Sequence, residues 1–221
     1  MSTTMLSPSE TTSRLLHILT SRGQSDYIGE PISQLEHSLQ CASLASLNGA
    51  DNETVIAALL HDIGQFLPAE EVRQIAGSVK DMRASKQSST GKSQSITGDD
   101  SGSVGRVGHE TIGGQYLLSL DFSPKVAALV ESHVAAKRYL CATESGYSEA
   151  LSDASKTSLE FQGGSMSEDE VGQWKRGEWS EEMARLRKWD DGAKIIGAVV
   201  PGVDAYESMI RKHLEERAAT V

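Results

Sequence analysis

Closely spaced cysteines, membrane-spanning segments and a secretion signal are all missing from this sequence of 221 residues. Its two cysteines, Cys41 and Cys141, are far apart, which is typical of thiols that pack as small side chains in a reducing compartment. No apolar stretch approaches the roughly 18 residues that a transmembrane helix requires. The N-terminus lacks a charged start followed by a long apolar run, so no signal peptide is expected. The sequence therefore predicts a cytoplasmic protein without a membrane segment.

Basic residues are also scarce, and they form no cluster. The chain has 21 Lys and Arg against 31 Asp and Glu, which gives a formal net charge of −10. Binding to nucleic acid needs clustered positive side chains that neutralise phosphates. We therefore expect no nucleic-acid partner.

Strand-like patterns are rare, because only residues 194–200 form a short apolar run, whereas helical periodicity dominates the rest. Residues 145–158 have a mixed pattern, and 167–170 resemble the acidic start of a further helix. We expect an all-α helical bundle that forms a single domain over 1–221, with its core at about 10–218. The predicted helices cover residues 9–21, 33–48, 51 or 52 to about 64, 70–77, 109–120, 124–139, 180–195 and 204–218.

One segment, at about residues 82–107, departs from this helical pattern. Serine, glycine and threonine dominate it, and almost none of its side chains could fill a core. Such a composition predicts a disordered surface insertion. A phosphate-binding glycine loop is disfavoured, because the G-x-x-x-x-G-K-[ST] pattern is missing.

The dipeptide His61-Asp62 follows the apolar helix that contains AALL. Burying an imidazole and a carboxylate is costly unless a partner satisfies them, and a divalent metal does so. Adjacent helical residues point about 100° apart, so one metal site can use both only near a helix end or a kink. Gly64 provides that local freedom.

Four of the six histidines are spaced as a set. His37 lies 24 residues before His61, and His109 lies 24 residues before His133. Each of the four lies on its own predicted helix, so they can converge inside a bundle. The other two, His17 and His213, lie in terminal helices and are expected to face solvent.

This order of His, His-Asp, two further His and a late Asp resembles the HD superfamily. Longer strings narrow the resemblance to the HD-domain mixed-valent diiron oxygenases, in particular to the organophosphonate-cleaving group that includes the 2-amino-1-hydroxyethylphosphonate dioxygenase. The resemblance covers about residues 27–191, interrupted by the serine-rich insertion. The strings that carry it are YIGEPISQLEHSLQCA, AALLHDIGQF, HVAAKRYLCA, SLEFQGG and RLRKWDD.

The resemblance implies a site for two iron ions, Fe(II) and Fe(III), with dioxygen as co-substrate. The late aspartate is Asp190 or Asp191, and we prefer Asp190 because it follows Arg187 by three residues, as in the family. Asp204 is a weaker candidate that also suits a helix cap. The implied metal ligands are His37, His61 and Asp190 for one iron, His109 and His133 for the other, and Asp62 as the bridge.

The resemblance also implies how a small anionic substrate is held. Lys137 lies four residues after His133, on the same helix face, and would bind the anion. Three other positions match the phosphonate cradle of the family: Ser155, Gln162 and Arg187. Tyr27 and Glu30 correspond to a mobile cover over the iron site.

One position departs from the family. Gln65 stands where many members have a histidine, four residues after the histidine of His-Asp. Glutamine cannot take up a proton near neutral pH, so it cannot replace this histidine as a base. The change leaves the implied metal site intact but argues against the family's usual hydroxyphosphonate as the substrate.

Three functions fit these residues. The first is oxidative cleavage of the C–P bond of a 1-hydroxyphosphonate, or of the C–C bond of an amino-acid-like carboxylate analogue. The alternative is a metal-dependent HD phosphohydrolase that acts on a small phosphate ester. A non-catalytic helical scaffold is the third, and the complete ligand set argues against it. Nothing in the sequence indicates an oligomeric state.

Overall fold

A computed structural model of the chain describes residues 6–27, 29–76, 81–83, 103–106 and 108–220. In this part of the chain the architecture is an all-α bundle, as predicted, together with one pair of short strands. The 3₁₀ helix Val203–Tyr206 precedes the last α-helix. The α-helices are α1 Pro8–Arg22, α2 Gln34–Leu47, α3 Asn52–Leu60, α4 Ile63–Phe66, α5 Ala69–Ala76, α6 His109–Ser119, α7 Pro124–Thr143, α8 Tyr147–Ala150, α9 Asp153–Phe161, α10 Glu168–Trp174, α11 Ser180–Gly192 and α12 Glu207–Ala218.

Local sequence signals set most of the helix starts. Ser7, Ser33 and Ser167 each begin a helix as the N-cap of a capping box, in which the glutamate three residues later binds back to the cap. Pro124 occupies the first turn of α7, where its missing N–H group costs nothing. These signals explain why the predicted boundaries lie close to the observed ones.

Helix α3 lies at the centre of the bundle. Every residue from Thr54 to Leu60 is buried, and a helix that is apolar all round is a buried helix. It packs against α2 on one side and α7 on another, while α11 covers both α2 and α7. The residues that directly follow α3, His61 and Asp62, are therefore held in the interior.

The chain breaks its helical course at those two residues. Helix α3 ends at Leu60 and α4 begins at Ile63, close to the end predicted near Gly64. A Cβ atom on Gly64 would collide with the carbonyl oxygen of His109 and approach the backbone nitrogen of Gly113 to 3.0 Å. Glycine therefore allows α4 to touch the start of α6, which carries His109.

The two strands flank the predicted insertion. Strand β1 (Asp81–Arg83) pairs with β2 (Ser103–Arg106) in an antiparallel arrangement, with Asp81 opposite Arg106. Sequence patterns did not predict this pair. The rest of the insertion at 82–107 lies outside the described residues.

The segment 194–200 and the lengths of the helices bear on two predictions from the sequence. The apolar run 194–200 is a loop, in which Ile195, Ile196 and Val199 are exposed. Among the helices of the described ranges, none combines the length and apolar character needed to span a bilayer.

The two terminal histidines differ in their environments. His17 is exposed, as predicted. The prediction for His213 is wrong, because its ring is 8% exposed and stacks on Phe122 with 5.4 Å between ring centroids. Its Nε2 accepts a hydrogen bond from the backbone N–H of Ser123 at 3.2 Å. Packing of α12 against α1 and α3 buries this helix face.

Candidate metal centre

The four histidines predicted as ligands converge with Asp62 and Asp190 in two buried groups of three. Within each group, the candidate ligand atoms all lie within 4.8 Å of one another. One group contains His37, His61 and Asp190, and the other contains Asp62, His109 and His133. These are the same two sets that the resemblance implies, and their role as metal ligands stays a prediction.

Five helical elements supply these side chains. His37 lies in the first half of α2 and His61 directly after α3. His109 is the first residue of α6, and His133 lies in the middle of α7. Asp190 lies near the end of α11. Because the ligands come from separate elements, bundle packing rather than chain proximity creates the site.

Hydrogen bonds fix the orientation of all four rings. The Nδ1 atom of each histidine lies 2.8–3.0 Å from a backbone carbonyl oxygen. Since a carbonyl oxygen only accepts, each Nδ1 carries a proton, and Nε2 is the atom that each ring directs into the cluster and can offer to a metal. The acceptors, for the histidines in chain order, are the carbonyl oxygens of Ala193, Ala58, Arg106 and Val130.

The resulting arrangement suits metal cations. The Nε2 atoms of His37 and His61 are 3.1 Å apart, and those of His109 and His133 are 3.0 Å apart. Two deprotonated Nε2 atoms at this distance would repel each other unless a cation lay beside them. Imidazole nitrogen and carboxylate oxygen are good ligands for divalent iron, manganese and zinc. The donor set therefore fits a metal pair.

Asp62 lies between the two pairs of histidines. Its Oδ1 is 3.3 Å from Nε2 of His109 and 3.6 Å from Nε2 of His133. Its Oδ2 faces the other pair and is 3.5 Å from Nε2 of His61. One oxygen towards each pair is the geometry that a bridging carboxylate requires.

Asp190, not its neighbour Asp191, belongs to the cluster. The Oδ1 atom of Asp190 is 3.2 Å from Nε2 of His37 and, within the described part of the chain, has no hydrogen-bond partner. Its Oδ2 accepts a hydrogen bond from Nη1 of Arg187 at 2.7 Å. Asp191 instead accepts from the hydroxyl of Tyr147 and from Arg187. Asp204 is exposed in the 3₁₀ helix before α12, outside the cluster.

A cavity of about 80 Å³ opens beside the cluster. His37 and His61 do not line it, whereas the other four candidate ligands do. Every residue that the sequence analysis assigned to substrate or cover lines this cavity, which we call the pocket: Tyr27, Glu30, Gln65, Lys137, Ser155, Gln162 and Arg187.

Comparison with known proteins agrees with this site. The sequence profile of the HD domain matches residues 35–157. The chain is 36% identical to a hydroxymethylphosphonate dioxygenase of Gimesia maris, over 94% of this chain and 90% of that protein. It is 32% identical to a 1-hydroxy-2-(trimethylamino)ethylphosphonate dioxygenase (glycine-betaine-forming) of Leisingera caerulea, over 90% of this chain and 88% of that protein. The chain belongs to the HD-domain phosphonate dioxygenase family. It is therefore an oxidoreductase.

The carboxylates of this phosphonate dioxygenase family member stay ionised despite their burial. Burial raises the pKa of the Asp62 carboxyl, but His61 and His109 outweigh it and lower the pKa far below its ordinary value. The pKa of the Asp190 carboxyl is likewise well below its usual range, because Arg187 and His37 outweigh the effect of burial. Two negatively charged carboxylates thus face the candidate metal positions near neutral pH.

Lys137 is buried at the wall of the pocket. Its Nζ donates to Oγ of Ser158 at 2.7 Å and to the carbonyl oxygen of Ser155 at 3.3 Å. Burial, with the nearby positive charge of Arg187, lowers the pKa of Lys137 to about 7. A buried amine at the pocket wall can donate to an anion, and its positive charge makes that bond stronger below about pH 7.

Arg187 has a second role besides lining the pocket. Its guanidinium donates to Asp190 and Asp191, and its Nε lies 3.4 Å from the hydroxyl of Tyr147. All three nitrogens are thus engaged, and the side chain orients Asp190. The anion-binding role that the resemblance implies for Arg187 stays a prediction.

The loop that carries Tyr27 and Glu30 lies over the cluster. The Tyr27 ring stacks on His37 with centroids 3.9 Å apart and planes at 18°. Burial, and then the charge of Asp190, raise the pKa of the Tyr27 hydroxyl well above its usual value. Gly29, at a φ of +77°, lets the loop approach α9, since a Cβ there would lie 2.7 Å from Cβ of Ala154.

Gln65 is held by the end of β2. Its Oε1 accepts a hydrogen bond from the backbone N–H of Arg106 at 2.8 Å, while the carbonyl of Arg106 orients His109. Gln65, which replaces the family histidine, is thus connected through Arg106 both to the flank of the insertion and to the candidate ligand His109.

Sequence reasoning missed Lys194, which lines the pocket from the loop after α11. Its Nζ lies 3.2 Å from Oε1 of Glu30 and 3.2 Å from Oγ of Ser155. The available signal was spacing, because Lys194 follows Asp190 by four residues, as Lys137 follows His133. In the sequence, Lys194 begins the short apolar run 194–200, whose pattern indicates only a short strand.

Proposed function

We propose that this protein is an iron-dependent dioxygenase that cleaves the C–P bond of a small 1-hydroxyalkylphosphonate. The observation that carries the proposal is the pair of buried ligand triads, divided by Asp62, beside a small pocket lined by Lys137 and Lys194. The names of the two relatives favour a phosphonate over a carboxylate substrate. The phosphohydrolase alternative has no comparable support from the relatives.

The reaction balances with dioxygen as the only oxidant. A 1-hydroxyalkylphosphonate dianion and one dioxygen give a carboxylate, hydrogen phosphate and one proton. Dioxygen takes four electrons from the carbon as its C–H and C–P bonds break, and new C–O and P–O bonds form. The glycine-betaine-forming relative is named for a product of this kind. For hydroxymethylphosphonate the products would be formate and phosphate.

Two iron ions, one Fe(II) and one Fe(III), would be held by the residues of the two triads. His37, His61 and Asp190 would hold one ion, and Asp62 would be shared with the ion held by His109 and His133. Such a pair supplies the activation of dioxygen, which amino-acid side chains cannot provide.

The side chains of the pocket would bind and orient the substrate. Lys137 would donate a charged hydrogen bond to the phosphonate, and Ser155 and Gln162 would donate neutral ones. Tyr27 and Glu30 would exclude water from the cluster as a cover. Gln65 cannot take up a proton near neutral pH, so it would orient the hydroxyl rather than act as a base. The protein's contribution is then positioning.

Aerobic incubation with hydroxymethylphosphonate tests the proposal. We expect one phosphate released per dioxygen consumed, no turnover without dioxygen, and two irons per chain by elemental analysis. Complete reduction by dithionite and complete oxidation should each suppress turnover. Hydrolysis of a phosphate ester without dioxygen, with zinc or magnesium and no iron, would instead establish the phosphohydrolase.

A further inference from the structure

The pocket has a distinctive balance of charge. Among the described residues that line it, the carboxylates are Glu30, Asp62 and Asp190. The last two belong to the candidate metal centre. The remaining one, Glu30, forms an ion pair with Lys194 at 3.2 Å, and both side chains are about seven-eighths buried, at 13% and 14% exposure. Apart from the two candidate metal ligands, the described lining therefore offers a positive group on a substrate only a carboxylate whose charge Lys194 already balances.

Lys194 is fixed in this position by several contacts. Its Nζ donates to Oγ of Ser152 at 3.3 Å and to Oγ of Ser155 at 3.2 Å, at the start of α9. The same atom lies 5.8 Å from the centre of the Tyr27 ring. A substrate cation that approached Glu30 would have to displace Lys194 or lie beside it.

Aromatic recognition of a cation is also restricted. Quaternary ammonium groups bind between the faces of several aromatic rings. Apart from the histidines of the metal centre, Tyr27 is the sole aromatic residue among the described lining residues. One face of its ring is stacked on His37, and Lys194 lies over the ring.

Size restricts the substrate further. The cavity holds about 80 Å³, far below the roughly 300–1,000 Å³ of pockets for drug-sized ligands. Such a space suits a phosphonate with a short substituent.

We propose that the pocket selects short 1-hydroxyalkylphosphonates without a positive substituent. Lys194 sets this selectivity because its ion pair with Glu30 balances the charge of that carboxylate. This inference rests on the proposed function and specifies its substrate class. Lys194 here determines specificity, because it removes the partner that an ammonium group would use.

A matched pair of ligands separates charge from size. 2-Amino-1-hydroxyethylphosphonate and 1-hydroxypropylphosphonate differ by an ammonium group in place of a methyl group. Titration calorimetry without dioxygen should give at least tenfold tighter binding of the propyl compound to the metal-loaded protein. Equal or tighter binding of the amino compound would overturn the proposal.

Variants at the ion pair test the role of Lys194. Lys194→Met should narrow the ratio of the two affinities at least tenfold, because Glu30 becomes free, whereas Lys194→Arg should preserve it. The double variant Lys194→Met, Glu30→Gln should restore selectivity for the neutral compound. Circular dichroism and metal content check that each variant folds. An unchanged ratio in folded Lys194→Met would overturn the assignment.

Turnover distinguishes this inference from the proposed function. Selective binding without any aerobic release of phosphate would refute the dioxygenase activity and leave the charge selectivity standing. Aerobic phosphate release with preference for the amino compound would refute the selectivity and leave the activity standing.

Discussion

Two adjacent aspartates at the end of α11 have different surroundings. Asp190 directs Oδ1 towards His37 in the cluster and Oδ2 towards Arg187. Asp191, one position on, binds Tyr147 and the other side of the same guanidinium. Residues next to each other on a helix point about 100° apart, so only one of the two carboxylates can reach the candidate metal positions. The other supports Arg187.

Single replacements should therefore have unequal effects on metal content. Asp190→Ala should lose one of the two metals, because it removes a proposed ligand. Asp191→Ala should keep both at saturation, with metal affinity lowered by about 10–100-fold, the range seen when an outer partner of a ligand is removed. Elemental analysis of the purified variants, with wild type as the control, measures the metal content per chain and decides between the two aspartates. Greater metal loss from Asp191→Ala would reverse the assignment.

Lys137 should give the reaction a pH dependence. Its pKa is lowered to about 7 by burial and then by Arg187, while Asp190, Asp191 and Cys141 act in the opposite direction. Only the protonated amine carries a positive charge, so phosphonate binding by the free enzyme should weaken as pH rises through about 7.

The matched control for this prediction is Lys137→Arg, whose guanidinium stays charged at every accessible pH. The ratio of kcat/KM between wild type and variant cancels the ionisation of the substrate. That ratio should fall as pH is raised above about 7. A ratio that stays flat from pH 6 to 9 would show that Lys137 does not titrate in this range.

At the scale of elements, the crossing of α4 and α6 sets the positions of Asp62 and His109. Gly64 lies at this crossing, and a side chain there would collide with the backbone of His109. A backbone neighbour cannot move aside as a flexible side chain can. The break between α3 and α4 thus depends on one glycine for close packing as well as for local freedom.

Gly64→Ala should lower the free energy of unfolding by about 1–3 kcal/mol or more, the usual cost of overpacking, and should reduce metal binding through His109. Gly172→Ala in α10 is the control, because a Cβ there meets only the side chain of Arg176 at 3.8 Å. The control should be neutral or more stable, since alanine is favoured over glycine in a helix. Denaturant unfolding measures both, and equal stability of the two variants would contradict the crossing argument.

At the scale of the whole molecule, the candidate metal centre links α2, α3, α6, α7 and α11. Four deprotonated Nε2 atoms and two ionised carboxylates repel one another unless cations separate them. In the state of the ligands that binds metal, the polar centre of the bundle is therefore stabilised by the bound cations. The same helices also form the apolar core, which continues around α3.

Removal of metal should lower the stability of the bundle. A ligand at 100 times its Kd stabilises the folded state by about 2.7 kcal/mol, which for a chain of this size corresponds to a fall in Tm of roughly 5–10 °C on chelation. Calorimetry with and without chelator measures the change, and restored iron should reverse it. In Asp62→Ala the chelator should have little effect. A wild-type Tm that chelation leaves unchanged would contradict metal binding by these residues.

The sequence by itself determined most of the helices and their starts, and it indicated the candidate ligand set. Helices α8 and α9 are exceptions, because residues 145–158 show only a mixed pattern. Capping boxes, prolines and apolar periodicity are local signals, so the observed helix boundaries lie near the predicted ones. The candidate ligands His37, His61, Asp62, His109 and His133 could be predicted from the sequence, because they follow the order of the HD superfamily and the histidines lie on separate helices. The single domain over 1–221 and the disorder of 82–107 remain predictions.

Only the tertiary structure decided which polar groups face one another. It buried His213, placed Asp190 rather than Asp191 in the cluster, and brought Lys194 against Glu30, 164 positions earlier in the chain. Local patterns record which face of a helix is apolar, but they carry no information on the rotation and spacing of distant elements. Those are set by close packing of the whole core, and the pairing of buried charges follows from them.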